Sequence, residues 1–314
     1  MTSVSSPAKL IGTAKAIIAD GAIETRLIFE YGLPTPDFAA FVHLFTEDGR
    51  RALKDIYRGY MDVAAESGLP MQVGTPTWRA HPEGLARQGF AAAGDVRRVN
   101  AEAFELLASI RRDLALENQV AIAGVVGPRY DGYSADNAPS ADEAEAYDAA
   151  QVSALAAAGV DLLYAPTFAS AQELLGVARA FAKTGLPYVL APVVDGTAHL
   201  PDGTALDSAV ALADQVTPPP THFLIGCAHP SLFGEATDST AWARNNRVQG
   251  LKANASPLPP SALDGLDHVE ADSPETFAAA MIDLHRQGYR VLGGCCGTSE
   301  AHIRAIARGL KTVL

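Results

Sequence analysis

Eight short apolar runs recur along the chain, separated by longer stretches with helical spacing. The runs span residues 14–22, 69–75, 119–128, 160–168, 186–194, 222–230, 248–256 and 289–297. They are apolar on both faces, the pattern of strands buried on both sides of a parallel sheet. Helices are expected at 50–67, 95–117, 140–158, 170–184, 205–215, near 236–245, at 273–287 and at 299–312. Spacing such as Phe104, Leu107 and Leu114 supports them. Ser140 with Glu143 makes a capping-box pattern, and Ser273 precedes Thr276 without the acidic partner. The glycines of "AAAGVD" and "HRQGYR" mark helix ends. Strands alternating with helices imply a helix-covered parallel sheet. Eight such units in 314 residues fit a single (β/α)8 TIM barrel, one α/β domain over residues 1–314, better than an open doubly wound sheet. The first run is followed by "ADGAIET", which is not a G-x-G-x-x-G loop. Residues 1–13 are expected to form a flexible tail.

Composition narrows the setting. An apolar content of 48% is enough to fill such a core, and no run of eighteen apolar residues suggests a membrane span. The opening "MTSVSSPAKL" lacks the basic and apolar segments of a secretory signal. A net charge of −12 argues against nucleic acid or an anionic membrane surface as partner. Three cysteines are too few, and odd in number, for a disulfide framework, which favours a cytoplasmic protein with reduced thiols. A homo-oligomer is compatible with these features.

Those cysteines fall in one place in the expected barrel. Cys227 ends the sixth run, and Cys295 with Cys296 ends the eighth in "VLGGCCGTSEAHI". Chemistry in such barrels sits at the C-terminal strand ends, and alternate strands contribute to one layer, so the three thiols can meet at the barrel mouth. Adjacent cysteines can share a target only where the strand has turned, a freedom expected of Gly293, Gly294 and Gly297. Three clustered thiolates need a cation, and Zn2+ takes thiolates in tetrahedral geometry with a fourth position left for substrate. A thiol bound there is deprotonated and stays electron-rich, an activated nucleophile. Inert buried cysteines or a vicinal disulfide are the plainer alternatives.

The segment "GGCCGTSEAHI" resembles the C-terminal zinc motif of the homocysteine S-methyltransferase family. The resemblance runs through "IIADGAIETRL" (17–27), "TPTWRA" (75–80), "GVVGPRYDGY" (124–133) and "LPDGTAL" (200–206). It implies a barrel holding zinc through Cys227, Cys295 and Cys296. It also implies transfer of a methyl group to a zinc-bound thiol such as homocysteine, and a place in methionine biosynthesis. Two positions depart from the family pattern. Pro166 stands where a glutamate that helps hold the amino group of homocysteine is expected, and Gly226 precedes Cys227 where asparagine is usual.

Other residues are candidates for the pocket. Asp20 is positioned to contact a substrate ammonium or to cap a helix, with Glu24 one turn on as support or as a favourable dipole partner. Trp78 suits an onium donor through cation–π attraction, flanked by Thr77 and by Arg79, which could bind a carboxylate. Tyr130, Asp131 and Tyr133 follow the third strand, Asp195 follows the fifth, and His229 lies two residues past Cys227. His302 reads as structural. Lys252, inside the seventh run, raises a rival reading as a Schiff-base lyase. A thiol-binding barrel without turnover is another. The reading that accounts for the cysteines is a zinc-dependent S-methyltransferase. Its onium donor (S-methylmethionine, S-adenosylmethionine or a betaine) would enter the barrel mouth, with no nucleotide or cobalamin domain expected in cis.

Overall fold

The computed structural model describes residues 11–232, 247–263 and 266–314. Eight parallel strands close into a barrel in the order β1 to β8. They are β1 (Ile17–Ala19), β2 (Met71–Gly74), β3 (Val120–Val125), β4 (Leu162–Phe168), β5 (Tyr188–Pro192), β6 (His222–Gly226), β7 (Val248–Ala253) and β8 (Val291–Gly294). Each lies within an expected run, and the seam closes where Ile17 pairs with Val291. The (β/α)8 TIM barrel expectation holds.

The helices are α1 (Glu24–Phe29), α2 (Glu47–Ser67), α3 (Pro82–Arg87), α4 (Asp95–Asp113) and α5 (Ala141–Ala158). They continue with α6 (Ala171–Ala182), α7 (Leu206–Ala213), α8 (Pro260–Leu263), α9 (Pro274–Arg286) and α10 (Glu300–Val313). Helix α2 starts earlier than expected because Thr46 caps it, its side chain accepting from Gly49 N at 3.2 Å. Its buried Leu53, Ile56, Tyr57 and Tyr60 recur at three and four residues, which faces one stripe to the barrel. Helix α4 ends earlier than expected, and Ala115 follows with a left-handed φ of 54°. The Ser140–Glu143 capping box is present, and Gly159 and Gly288 follow helices α5 and α9 with φ of 98° and 106°. Short helices α1, α3 and α8 and two 3-10 turns (Pro36–Phe38 and Ala40–Phe45) were not expected, being too brief to show a period. The helix expected near 236–245 lies outside the described residues.

Two apolar layers result. Inside the barrel, Ile17, Ala123, Leu162, Tyr164, Val189 and Leu224 pack together, and a larger layer fills the space between strands and helices. The expected tail needs correction at its end. Residues 11–13 are helical and Ile11 is 2% exposed, packed into the inner layer. Arg290 Nη1 donates to the Ile11 and Ala14 carbonyls at 2.8 and 3.2 Å, which ties this segment to β8.

Candidate active site

A cavity of about 720 Å³ opens at the C-terminal ends of the strands. Its floor carries the three cysteines. Their sulfurs all lie within 4.8 Å of one another. The strand between them sets this geometry. Cys227 N donates to Lys252 O at 3.0 Å and Cys295 N to Ala253 O at 2.7 Å, so β7 holds both flanking thiol segments. Just beyond β7, Asn254 Nδ2 donates to Cys227 O at 2.9 Å and Ala255 N to Cys296 O at 3.0 Å. Cys227 itself has a left-handed φ of 52°, a cost of about 1–3 kcal/mol for a residue other than glycine that turns its side chain out of the strand alternation.

Cys227 and Cys295 are joined as a disulfide, with Cys296 free, so the vicinal pairing of Cys295 with Cys296 is not formed. In the reduced state the donor set suits zinc: three soft sulfurs on one point with space above them. Burial, and after it the nearby Glu24, pushes the Cys296 thiol up to about 11. A thiolate in that position therefore needs a cation beside it.

The glycines act differently from expectation. Only Gly297 has a left-handed φ, at 79°. Gly293 and Gly294 belong to β8, where any side chain would collide with Ala19 and with Thr298 respectively. They permit close packing and do not make the turn. Thr298, which the sequence did not single out, is 1% exposed and links the two ends of the site. Its hydroxyl accepts from Ala22 N at 3.1 Å and donates to Cys295 O at 2.7 Å.

Asp20 is buried beside the cysteines and already holds an ammonium. One carboxylate oxygen accepts from Gly74 N at 2.7 Å, and the other is paired with Lys252 Nζ. It caps no helix: Ile23 occupies the N-cap position of α1, without a side-chain cap. Lys252 is thus held as the partner of Asp20. Glu24 is half-buried in the cavity wall, and burial pushes its carboxyl up to about 7 against the pull of its own backbone N–H and of Lys252.

Trp78 lines the cavity, its Nε1 donating to Pro166 O at 3.4 Å. It already carries a cation, since the Arg79 guanidinium lies 3.9 Å from its ring centroid. Thr77 is a correction. It is 0% exposed and does not line the cavity, and its hydroxyl bonds Thr75 Oγ1 at 2.6 Å and donates to Val125 O at 2.7 Å, which braces β2 against β3. Tyr130 stands at the rim, 43% exposed. Asp131, also exposed, uses its carboxylate to accept from Tyr133 N at 2.8 Å. Tyr133 comes closer to the sulfurs: burial and the Cys296 charge hold its phenol well above its ordinary range. Tyr164, hidden in an apolar run, lines the cavity with a buried hydroxyl that has no partner.

The remaining candidates are structural. His229 Nε2 donates to Asp272 at 3.1 Å while Nδ1 accepts from Ser231 Oγ at 2.8 Å. His302 Nδ1 accepts from Ser299 N at 3.1 Å at the start of α10. Asp195 closes its own turn through Thr197 and His199. The two departures from the family pattern meet in space. Thr167, next to Pro166, has a φ of 62° at a bulge between β4 and β5. A Cβ on Gly226 would lie 3.2 Å from Thr167 N and 3.1 Å from Ala191 O. Glycine at 226 therefore accommodates the bulge at Thr167 within β4.

Comparison with known proteins agrees with this fold. The family model for homocysteine S-methyltransferase matches residues 17–310. A homocysteine S-methyltransferase of Escherichia coli (strain K12) is 25% identical, covering 95% of this chain and 96% of its own. The homocysteine S-methyltransferase YbgG of Bacillus subtilis (strain 168) is 24% identical over 96% of this chain and 98% of its own. The crystal structure of the homocysteine methyltransferase MmuM from Escherichia coli in its metallated form superposes with a TM-score of 0.78 at 22% identity, covering 96% of this chain and 99% of that one. Its oxidized form superposes equally well, with a TM-score of 0.78. The chain belongs to the homocysteine S-methyltransferase family and is a methyltransferase.

Proposed function

We propose that this chain transfers a methyl group from an onium donor to the sulfur of a small thiol, with zinc held by Cys227, Cys295 and Cys296. The observation that carries the reading is the three-sulfur cluster at the floor of a cavity large enough for both reactants. Bound there, zinc would hold the acceptor as a thiolate at neutral pH. The acceptor sulfur forms a bond to the methyl carbon as the bond from that carbon to the onium centre breaks. The leaving group keeps the electron pair and departs neutral or less positively charged, and the thiol proton passes to solvent.

The chain's own part is positioning and desolvation. The rings of Trp78, Tyr133 and Tyr164 line the approach, and aromatic faces attract a cation that has shed water. The half-buried Glu24 carboxyl ionises more readily once an onium charge is beside it, so the donor completes its own counter-charge. S-methylmethionine, S-adenosylmethionine and a betaine share this chemistry. Homocysteine is the acceptor in the names of the relatives. A cytoplasmic setting, which keeps thiols reduced, suits the site. Among the described residues no helix is long and apolar enough to cross a membrane.

The test uses protein purified under reducing conditions. It is expected to carry about one zinc per chain and to move a deuterated methyl group from at least one of the three donors to a thiol, read by mass spectrometry. Metal-free protein that resists zinc loading, or failure with every thiol and donor pair, overturns the proposal.

A further inference from the structure

We propose that the acceptor is a mercapto-carboxylate without an α-ammonium group, because Lys252 already occupies the ammonium position at Asp20. The inference rests on the thiol-methylation reading and narrows its substrate class. An acceptor ammonium needs a carboxylate free to receive it beside the sulfurs. Asp20 is buried there, with one oxygen engaged by Gly74 N and the other by Lys252. The position in β4 where the family pattern has a second carboxylate is Pro166. Glu24, the other carboxylate of the inner cavity wall, is the counter-charge that the proposed reaction gives to the onium donor. An incoming ammonium would thus meet a like charge, with its natural partner taken.

The lysine is built into the fold. In the sheet, Lys252 pairs with Gly226 of β6 and with Gly293 of β8, so glycines flank it on both sides. Its own backbone carbonyl holds Cys227. Pro166, Gly226 and Lys252 stand on strands β4, β6 and β7: Pro166 offers no carboxylate, Gly226 fits closely against Thr167, and Lys252 supplies the cation at Asp20.

The opposite charge is provided for. Arg87 pairs with Asp37, and Arg129 with Glu83. Among the described residues lining the cavity, Arg79 is the cation that makes no ion pair. It donates from Nη1 to Pro128 O at 2.6 Å, while its Nε is buried without a hydrogen-bond partner. A guanidinium in the cavity wall with no ion-pair partner suits a carboxylate.

The experiment compares three thiols that differ by one group at a time, titrated calorimetrically into reduced, zinc-loaded protein: L-homocysteine, 4-mercaptobutyrate and 1-propanethiol. The expected order is 4-mercaptobutyrate at least about 10-fold tighter than either of the others, the scale of one charge-assisted hydrogen bond. Lys252→Met and Lys252→Gln, each checked for folding by its melting curve, should shift the ratio by about 10-fold or more toward homocysteine, because Asp20 becomes free. Homocysteine binding as tightly as 4-mercaptobutyrate to the wild type overturns the ammonium argument and leaves methyl transfer to thiols standing. Equal binding of 1-propanethiol and 4-mercaptobutyrate overturns the carboxylate. Binding of no thiol at all overturns both this inference and the reading beneath it.

Discussion

Replacing Thr298 by valine tests whether the two ends of the site are held together as described. Valine keeps the shape and removes the hydroxyl that bridges Ala22 N and Cys295 O. Two hydrogen bonds of about 1 kcal/mol each are lost, and Ala22 N is left buried without its acceptor, so the total is about 2–4 kcal/mol. With about 2.1 cal/mol/K of unfolding entropy per residue, a chain of 314 residues should lose about 3–6 °C of Tm. Differential scanning calorimetry of reduced, metal-free protein measures this. Thr298→Ser keeps the oxygen and should recover most of the loss. Freeing the Cys295 carbonyl should also weaken zinc retention by about 10-fold in a chelator competition, the scale seen when a group that orients a metal ligand is removed. A melting point within 1 °C of wild type (about 0.7 kcal/mol on the same scale), or equal losses in the valine and serine variants, would refute the account.

Three further outcomes follow from the structure. Cys296→Ser should drop bound zinc well below one equivalent after dialysis and abolish methyl transfer, and full zinc content in this variant would remove Cys296 from the ligand set. Gly127→Ala would place a Cβ 2.5 Å from Trp78, displacing the ring at a cost of about 1–3 kcal/mol. The expected readout is a higher donor KM, and an unchanged KM means that Trp78 does not face the donor. Burial pushes His81 and His222 down to about 3 from an ordinary 6.5, so the unfolded chain takes up protons that the fold refuses as pH drops through that window. Stability should therefore fall with pH, by about 2 kcal/mol per histidine at pH 5. His222→Phe should retain about that much more of its neutral-pH stability in urea titrations at pH 7.5 and 5, and an identical pH profile would contradict the argument.

The barrel was legible because its signal is long-range repetition: eight buried strands each left a run that no single substitution could hide. The cysteines were legible for a related reason, since a strand end in a barrel has only one place to be. The failures are local. Gly294 looked like turn-making freedom but makes room for Thr298, a contact that depends on the side chain of a neighbouring segment and leaves no periodic trace. Thr77 read as pocket lining because it stands next to Trp78, yet it faces β3. Lys252 and Asp20 were both singled out, but nothing in a one-dimensional reading shows that residues 232 positions apart form one ion pair.

The bond between Ala22 and Thr298 spans 276 positions, and β1 lies against β8 at the barrel seam. The chain therefore cannot assemble its reactive floor progressively during synthesis. The first strand must wait, one edge unpaired, until the last has left the ribosome. A thiol floor whose assembly waits on β8 is thus withheld from half-made chains, and capture of the proposed zinc would report that the ring has closed.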